Sequence, residues 1–236
     1  MSINGFIKFK ENDFVIATIV TFLAERYFAS FSILLYLSII CTMIFNNLLR
    51  QKEFYFFTSK INNFFEENIL KFKNVSIIYN SSNINYHEFI KINNFCRKNL
   101  IKIYILDNYR AVIKYNLNGL IISNKCKILY LNSFSKKIGI KVIGKVHNQK
   151  EFFLREQQNC DSVFFSPFFL TSKYSENKVL GPIKFNLISQ QWRKEIFCLG
   201  GINSYNYKKT FLSKNNGFGF FSLIKSSKIK KPFPSF

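Results

Sequence analysis

The segment CDSVFFSPFFLTSK, Cys160–Lys173, ends in a way that a buried strand does not require. Its apolar run breaks at Ser166-Pro167, resumes with Phe168-Phe169 and closes on Thr171 and Lys173, a hydroxyl and an ammonium at fixed spacing. Such a pair reads as chemistry, since it offers a hydrogen-bonding group and a point charge side by side. Further on, LGGIN sets Gly200-Gly201 directly behind an apolar run, and only glycine lets backbone N–H groups approach an oxyanion that closely. NGFGFFSL places Gly219 and Ser222 near the end of the next run. A lone Gly-Gly is also what a tight turn uses; glycines on two successive runs favour the anion-binding reading.

The elements that must carry these residues are legible from residue 54 onward. Short β-rich runs occur at 54–59, 75–80, 102–107, 119–123, 140–146, 162–167, 195–201 and 217–223. Each is a nearly continuous apolar stretch, as expected of a strand covered on both faces. Between them lie segments suited to amphipathic helices: 62–72, 85–98, 109–115, 125–137, 149–159, 183–193 and 205–213. Strands alternating with helices in this way predict an α/β fold, a (β/α)8 TIM barrel preceded by an apolar helical N-terminal extension. A doubly wound open sheet is the alternative, but no GxGxxG follows the first strand. In such a barrel the loops after the strands form the active face, and phosphate usually sits on backbone amides after strands seven and eight. That is where the two glycine-bearing runs fall.

Residues 1–50 have a different character from 51–236. They hold three of the chain's four alanines and two apolar segments, 14–24 and 28–45, separated by Glu25-Arg26. The second is about as long as the shortest bilayer-spanning helix. Three readings stand side by side: a membrane anchor, a helical cap on the following domain, or upstream sequence misassigned to the gene. Lys8 and Lys10 on one flank and Arg50 and Lys52 on the other set no clear orientation. The net charge of +21 would ordinarily suggest nucleic acid or an anionic membrane as partner. The richness in Lys, Asn, Ile, Phe and Tyr with so little Ala is instead the mark of A/T-rich coding, and the lysines are scattered except in the tail KSSKIKK. No nucleic-acid partner is expected. The expected compartment is the cytoplasm, with membrane association through 14–45 as the alternative. Five cysteines without a CxxC pair, and His87 and His147 as the only histidines, read as free thiols in a reducing compartment and argue against zinc.

The ordered set GKVHN (144–148), CDSVFFSPFFLTSK (160–173), LG (180–181), LGGINSYN (199–206) and GFGFFSLI (217–224) resembles the C-terminal half of thiamine phosphate synthase and its relative, the thiazole tautomerase. The match covers about 140–224, with a looser fit from 54 onward. The resemblance implies that Thr171 and Lys173 contact phosphate groups from a mobile loop after strand six, and that Gly200, Gly201 and Ser222 cradle the phosphate of a thiazole phosphate. It also implies that His147 corresponds to the tautomerase's proton-transfer residue, for which a pKa near 6.5 is apt. HNQKE reads equally well as a helix start.

Departures from the family pattern are as informative. Where the synthase's second strand ends in cations that hold the pyrimidine diphosphate, this chain has IIYNSSN. Where the family has Asp-Gly-x-His on strand four, this chain has Asn118-Gly119-Leu120-Ile121. Asp161 precedes its strand at the opposite end of the barrel, which leaves Asp107 as the one candidate ligand for Mg²⁺. The implied function is transfer: coupling of hydroxymethylpyrimidine diphosphate with thiazole phosphate to give thiamine phosphate and diphosphate, in thiamine biosynthesis, with small phosphorylated substrates as partners. A tautomerase-like enzyme using His147 and a non-catalytic thiazole-phosphate-binding barrel are the alternatives.

Overall fold

The computed structural model describes residues 36–41, 43, 52–81, 84–124, 126, 136–171, 178–203 and 205–221. The chain divides into two compact units, Met1–Gln51 and Lys52–Phe236. In the first, the described residues are helical. Among the described residues no helix is long and apolar enough to cross a membrane. Most of the 14–45 segment, and with it the choice between anchor, cap and misassigned start, lies outside them.

The second unit is a closed barrel of eight parallel strands in sequential order: β1 Glu53–Thr58, β2 Val75–Tyr79, β3 Lys102–Leu106, β4 Gly119–Ile122, β5 Lys141–Val146, β6 Ser162–Phe165, β7 Glu195–Leu199 and β8 Gly217–Phe220, with β8 pairing back onto β1. The described α-helices of this unit are α1 Asn63–Ile69, α2 Tyr86–Lys98, α3 Tyr109–Lys114, α4 Gln149–Gln157 and α5 Gly181–Ser189. This is the (β/α)8 barrel that the alternation of runs predicts. Two segments differ. The 205–213 stretch forms a 3-10 helix, Tyr207–Leu212, and α5 begins two residues early, with Pro182 in its first turn where a missing N–H costs nothing. Of 125–137, most lies outside the described residues.

The asparagine-rich composition finds a use at the helix starts. Asn62, Asn85, Asn108 and Asn148 each accept a hydrogen bond from the N–H three residues on, capping α1, α2, α3 and α4. A second device closes the N-terminal ends of the strands. Asn118, just before β4, accepts from Ile103 N at 2.8 Å; Asp161, before β6, accepts from Val142 N at 2.8 Å; Asn216, before β8, accepts from Ile196 N at 2.9 Å. Asp161 is therefore occupied at the far end of the barrel, as its place before the strand implies.

Aromatic rings fill the interior. Tyr55 meets Tyr104, Phe164 and Phe197 at centroid distances of 5.7, 5.1 and 4.9 Å, mostly edge to face. The Tyr55 hydroxyl donates to Glu53, and Lys141 joins Glu53 and Glu195 at 3.5 and 2.6 Å, so the polar groups at this end are paired with one another. Arg155 of α4 is fully buried. It packs over Gly144, where a Cβ would come within 2.4 Å of its side chain, and donates to the carbonyls of Ser123, Cys126 and Lys145. Carbonyl dipoles rather than a carboxylate thus receive this charge, and they tie α4 to β5 and to the segment after β4.

Candidate functional site

The site is built from the loops at the C-terminal ends of β5 to β8. After β6 the chain turns through the cis Ser166-Pro167 bond, and Phe168 N and Phe169 N donate to Leu199 O and Gly200 O at 2.8 and 3.0 Å. The loop after β6 is thereby stitched to the end of β7. Gly200 and Gly201 both have positive φ, 91° and 71°. A Cβ at Gly201 would lie 2.5 Å from Phe169 O, so the conformation and the close approach both require glycine there.

These loops enclose a cavity of about 550 Å³ whose walls include Lys145, His147, Thr171, Gly200, Gly201 and Gly219. Its apolar walls come from Leu170, Leu199 and Phe221. The Thr171 hydroxyl is buried and has no hydrogen-bond partner among the described residues. A buried hydroxyl left this way costs on the order of 1–3 kcal/mol, which a ligand oxygen in the cavity would recover.

His147 stands just before α4, as its helix-start reading has it, and lines the cavity. Glu151 accepts from His147 N at 2.8 Å and holds its Nδ1 at 3.0 Å, while Asn148 caps the helix that Glu151 belongs to. The helix start therefore orients the ring beside the cavity, with the Glu151 carboxylate on its Nδ1. Asp107, at the end of β3, has φ of 51° and accepts from Ser123 N at 2.8 Å through Oδ1. It is not among the residues lining the cavity. Lys173 and Ser222 lie outside the described residues.

Among the described residues no group of three or more His, Cys, Asp and Glu side chains is placed to hold a metal ion. Asp107 presents a single carboxylate with one oxygen already engaged, and the charge it acts on is the Lys145 ammonium. This donor set does not fit a Mg²⁺ ion held by protein groups, which needs oxygen ligands around an octahedron. Thiolate chemistry is also poorly served, since burial pushes the Cys96 and Cys160 thiols up to about 12.

Lys145 is the site residue that the motifs do not announce. It shares the inward face of β5 with Ile143, which belongs to the barrel core, and pairs in register with Phe164. Its Nζ lies 4.8 Å from the Phe57 ring centroid and 5.8 Å from that of Phe221, two rings stacked at 4.5 Å. Burial pushes this ammonium down to about 8, against the opposing pull of Asp107. Strand parity could have found it: a lysine two residues beyond a core position, at the C-terminal end of a barrel strand, points into the mouth.

A closed parallel barrel with its cavity at the C-terminal ends of the strands defines the (β/α)8 class. Thiamine phosphate pyrophosphorylase from Pyrococcus furiosus shares the fold with a TM-score of 0.61 over 79% of this chain and 94% of that one, at 14% identity. The likeness read from the motifs is thus met by a likeness of fold. The YdjI aldolase from Escherichia coli K12 (TM-score 0.55, 13% identity, 75% of this chain and 78% of that one) is also similar. So is N-(5'-phosphoribosyl)anthranilate isomerase from Pyrococcus furiosus (TM-score 0.51, 14% identity, 77% and 93%). No protein-family model matches the chain, and no curated protein matches it in sequence.

Proposed function

We propose that this barrel binds a small phosphorylated ligand and acts as a transferase of the thiamine phosphate synthase type, joining hydroxymethylpyrimidine diphosphate to thiazole phosphate. The observation that carries the reading is the Thr171 hydroxyl, buried without a partner among the described residues in a cavity walled by Gly200-Gly201. Around it stand the ordered motifs and the fold they share with a thiamine phosphate pyrophosphorylase.

In the proposed reaction the carbon–oxygen bond of the pyrimidine diphosphate breaks, diphosphate leaves with the electron pair, and the thiazole nitrogen closes on the cationic methylene carbon. The chain's part is to hold leaving-group charge and to keep water away. Thr171 would donate to a phosphate oxygen and the glycine loop would seat the thiazole phosphate. Leu170, Leu199 and Phe221 would exclude water, and Lys173 and Ser222 would complete the contacts from the flanking segments. No step is assigned to a metal; Asp107 would be at most one contact for Mg²⁺ brought in by the diphosphate.

Full-length protein given both substrates and Mg²⁺ should yield thiamine phosphate, at a rate lowered about tenfold or more by Thr171→Ala. No product above that of a Lys173→Ala control sinks the reading. A second reading is favoured by the Glu151 carboxylate on His147 Nδ1: a thiazole phosphate carboxylate tautomerase in which His147 moves the proton. It predicts metal-independent conversion that disappears in His147→Ala. Binding of thiazole phosphate by calorimetry with neither conversion would leave a non-catalytic binding barrel.

A further inference from the structure

We propose that Lys145 is a carbonyl-binding amine, whose Nζ forms a reversible imine with a small phosphorylated aldehyde or ketone seated in the cavity it shares with His147, Thr171 and Gly200-Gly201. Imine formation lies beyond the coupling chemistry, and it rests on the phosphate reading of the site for the ligand's anionic end alone.

Four features converge. Lys145 stands on a strand, so its Cα is fixed by the β5 ladder rather than by a mobile loop. Its Nζ lies over the stacked Phe57 and Phe221 rings, which take the place of water around the amine. Desolvation of this kind is what turns a lysine into a nucleophile, and here it outweighs the pull of the Asp107 carboxylate on the ammonium. With burial bringing it to about 8, Lys145 has at pH 7.5 a neutral fraction roughly two-hundredfold larger than that of a solvated lysine. Finally, His147, fixed by Glu151, lines the same cavity and can carry the protons that imine formation moves.

The step balances without an oxidant or reductant. The neutral Nζ lone pair attacks the carbonyl carbon, a carbon–nitrogen bond forms, and the carbonyl oxygen takes a proton while nitrogen loses one, giving the carbinolamine. A second proton, carried by His147, then reaches the carbinolamine hydroxyl, the carbon–oxygen bond breaks, the oxygen leaves as water, and the iminium keeps the positive charge beside the two rings. The iminium is an electron sink for a carbon–hydrogen or carbon–carbon bond next to it, and reverse hydration releases the product. A phosphate on the substrate would sit at Gly200-Gly201 and Thr171.

The test is reductive trapping on the full-length protein. Glyceraldehyde 3-phosphate, or glyceraldehyde as the counterpart without phosphate, is added with cyanoborohydride at pH 7.5, and labelled peptides are mapped by mass spectrometry. The expected result is one addition on Lys145, at least tenfold faster than on any other lysine and absent in Lys145→Arg, with thermal melting confirming that the variant is folded. Faster labelling by the phosphorylated probe, suppressed by inorganic phosphate, supports both the amine and the phosphate seat. Equal labelling of Lys145 by both probes keeps the amine and removes the phosphate seat, and with it the ground for the transferase reading. Labelling spread over surface lysines, or equal in wild type and Lys145→Arg, overturns the proposal. Mapping on the wild type alone is enough to reach that outcome, whether or not the variant folds.

Discussion

The Lys145 ammonium leaves water to lie over Phe57 and Phe221, and the Asp107 carboxylate offsets only part of that cost. With a folded pKa of about 8 against 10.5 for a free lysine, the unfolded chain binds the extra proton between those values, so the penalty is full below pH 8 and is relieved as pH rises toward 10.5. Lys145→Met, which keeps length and removes charge, should therefore stabilise the protein at pH 7 by about 1–2 kcal/mol, allowing for residual solvent contact. Urea midpoints taken at pH 7 and pH 10 check it: the gain should shrink at the higher pH, and an equal gain at both would show that the charge is not the cause. The residue drew no notice because the likeness carried by GKVHN rests on its His147, and only the parity of β5, counted from the core residue Ile143, marks Lys145 as inward. His147, by contrast, was legible as a helix start by pattern, and Glu151 engages both its N–H and its ring.

Among the elements, helix starts were legible because their chemistry is local. An asparagine side chain at 62, 85, 108 or 148 finds the N–H three residues on whatever the rest of the chain does. The junction between the loops after β6 and β7 was not legible, because it depends on residues about thirty positions apart meeting across two strands. There Phe169 O lies so close to Gly201 that any side chain must push the two loops apart. Gly201→Ala should weaken inorganic phosphate binding at least about tenfold while lowering the melting temperature by only a few degrees, since the strain falls on a loop rather than the core. Calorimetry against phosphate reads the first and thermal melting the second. Affinity unchanged in the variant would separate the glycine pair from anion binding.

For the whole molecule, closure of the barrel hangs on the seam between β8 and β1, where Glu53 pairs with Gly217. A Cβ at Gly217 would lie 1.9 Å from Glu53 O, backbone against backbone, with no rotamer to relieve it. Gly217→Ala should cost about 3 kcal/mol or more and lower the urea midpoint accordingly. An unshifted midpoint would mean that the seam opens without cost and that closure is not what holds the unit together. The eight strands, their order and the asparagine caps follow from short-range pattern: apolar runs covered on both faces, alternation with helices, and side chains that reach their own backbone. The ordered motifs likewise pointed to the loops that carry Thr171, Gly200, Gly201 and His147. Which of these residues share one cavity, that Asp107 stands outside it, and that Lys145 is drawn into it beside two stacked rings are facts of closure. They depend on bringing β1, β3, β5 and β8 around one axis, and no spacing along the chain encodes a distance across that axis.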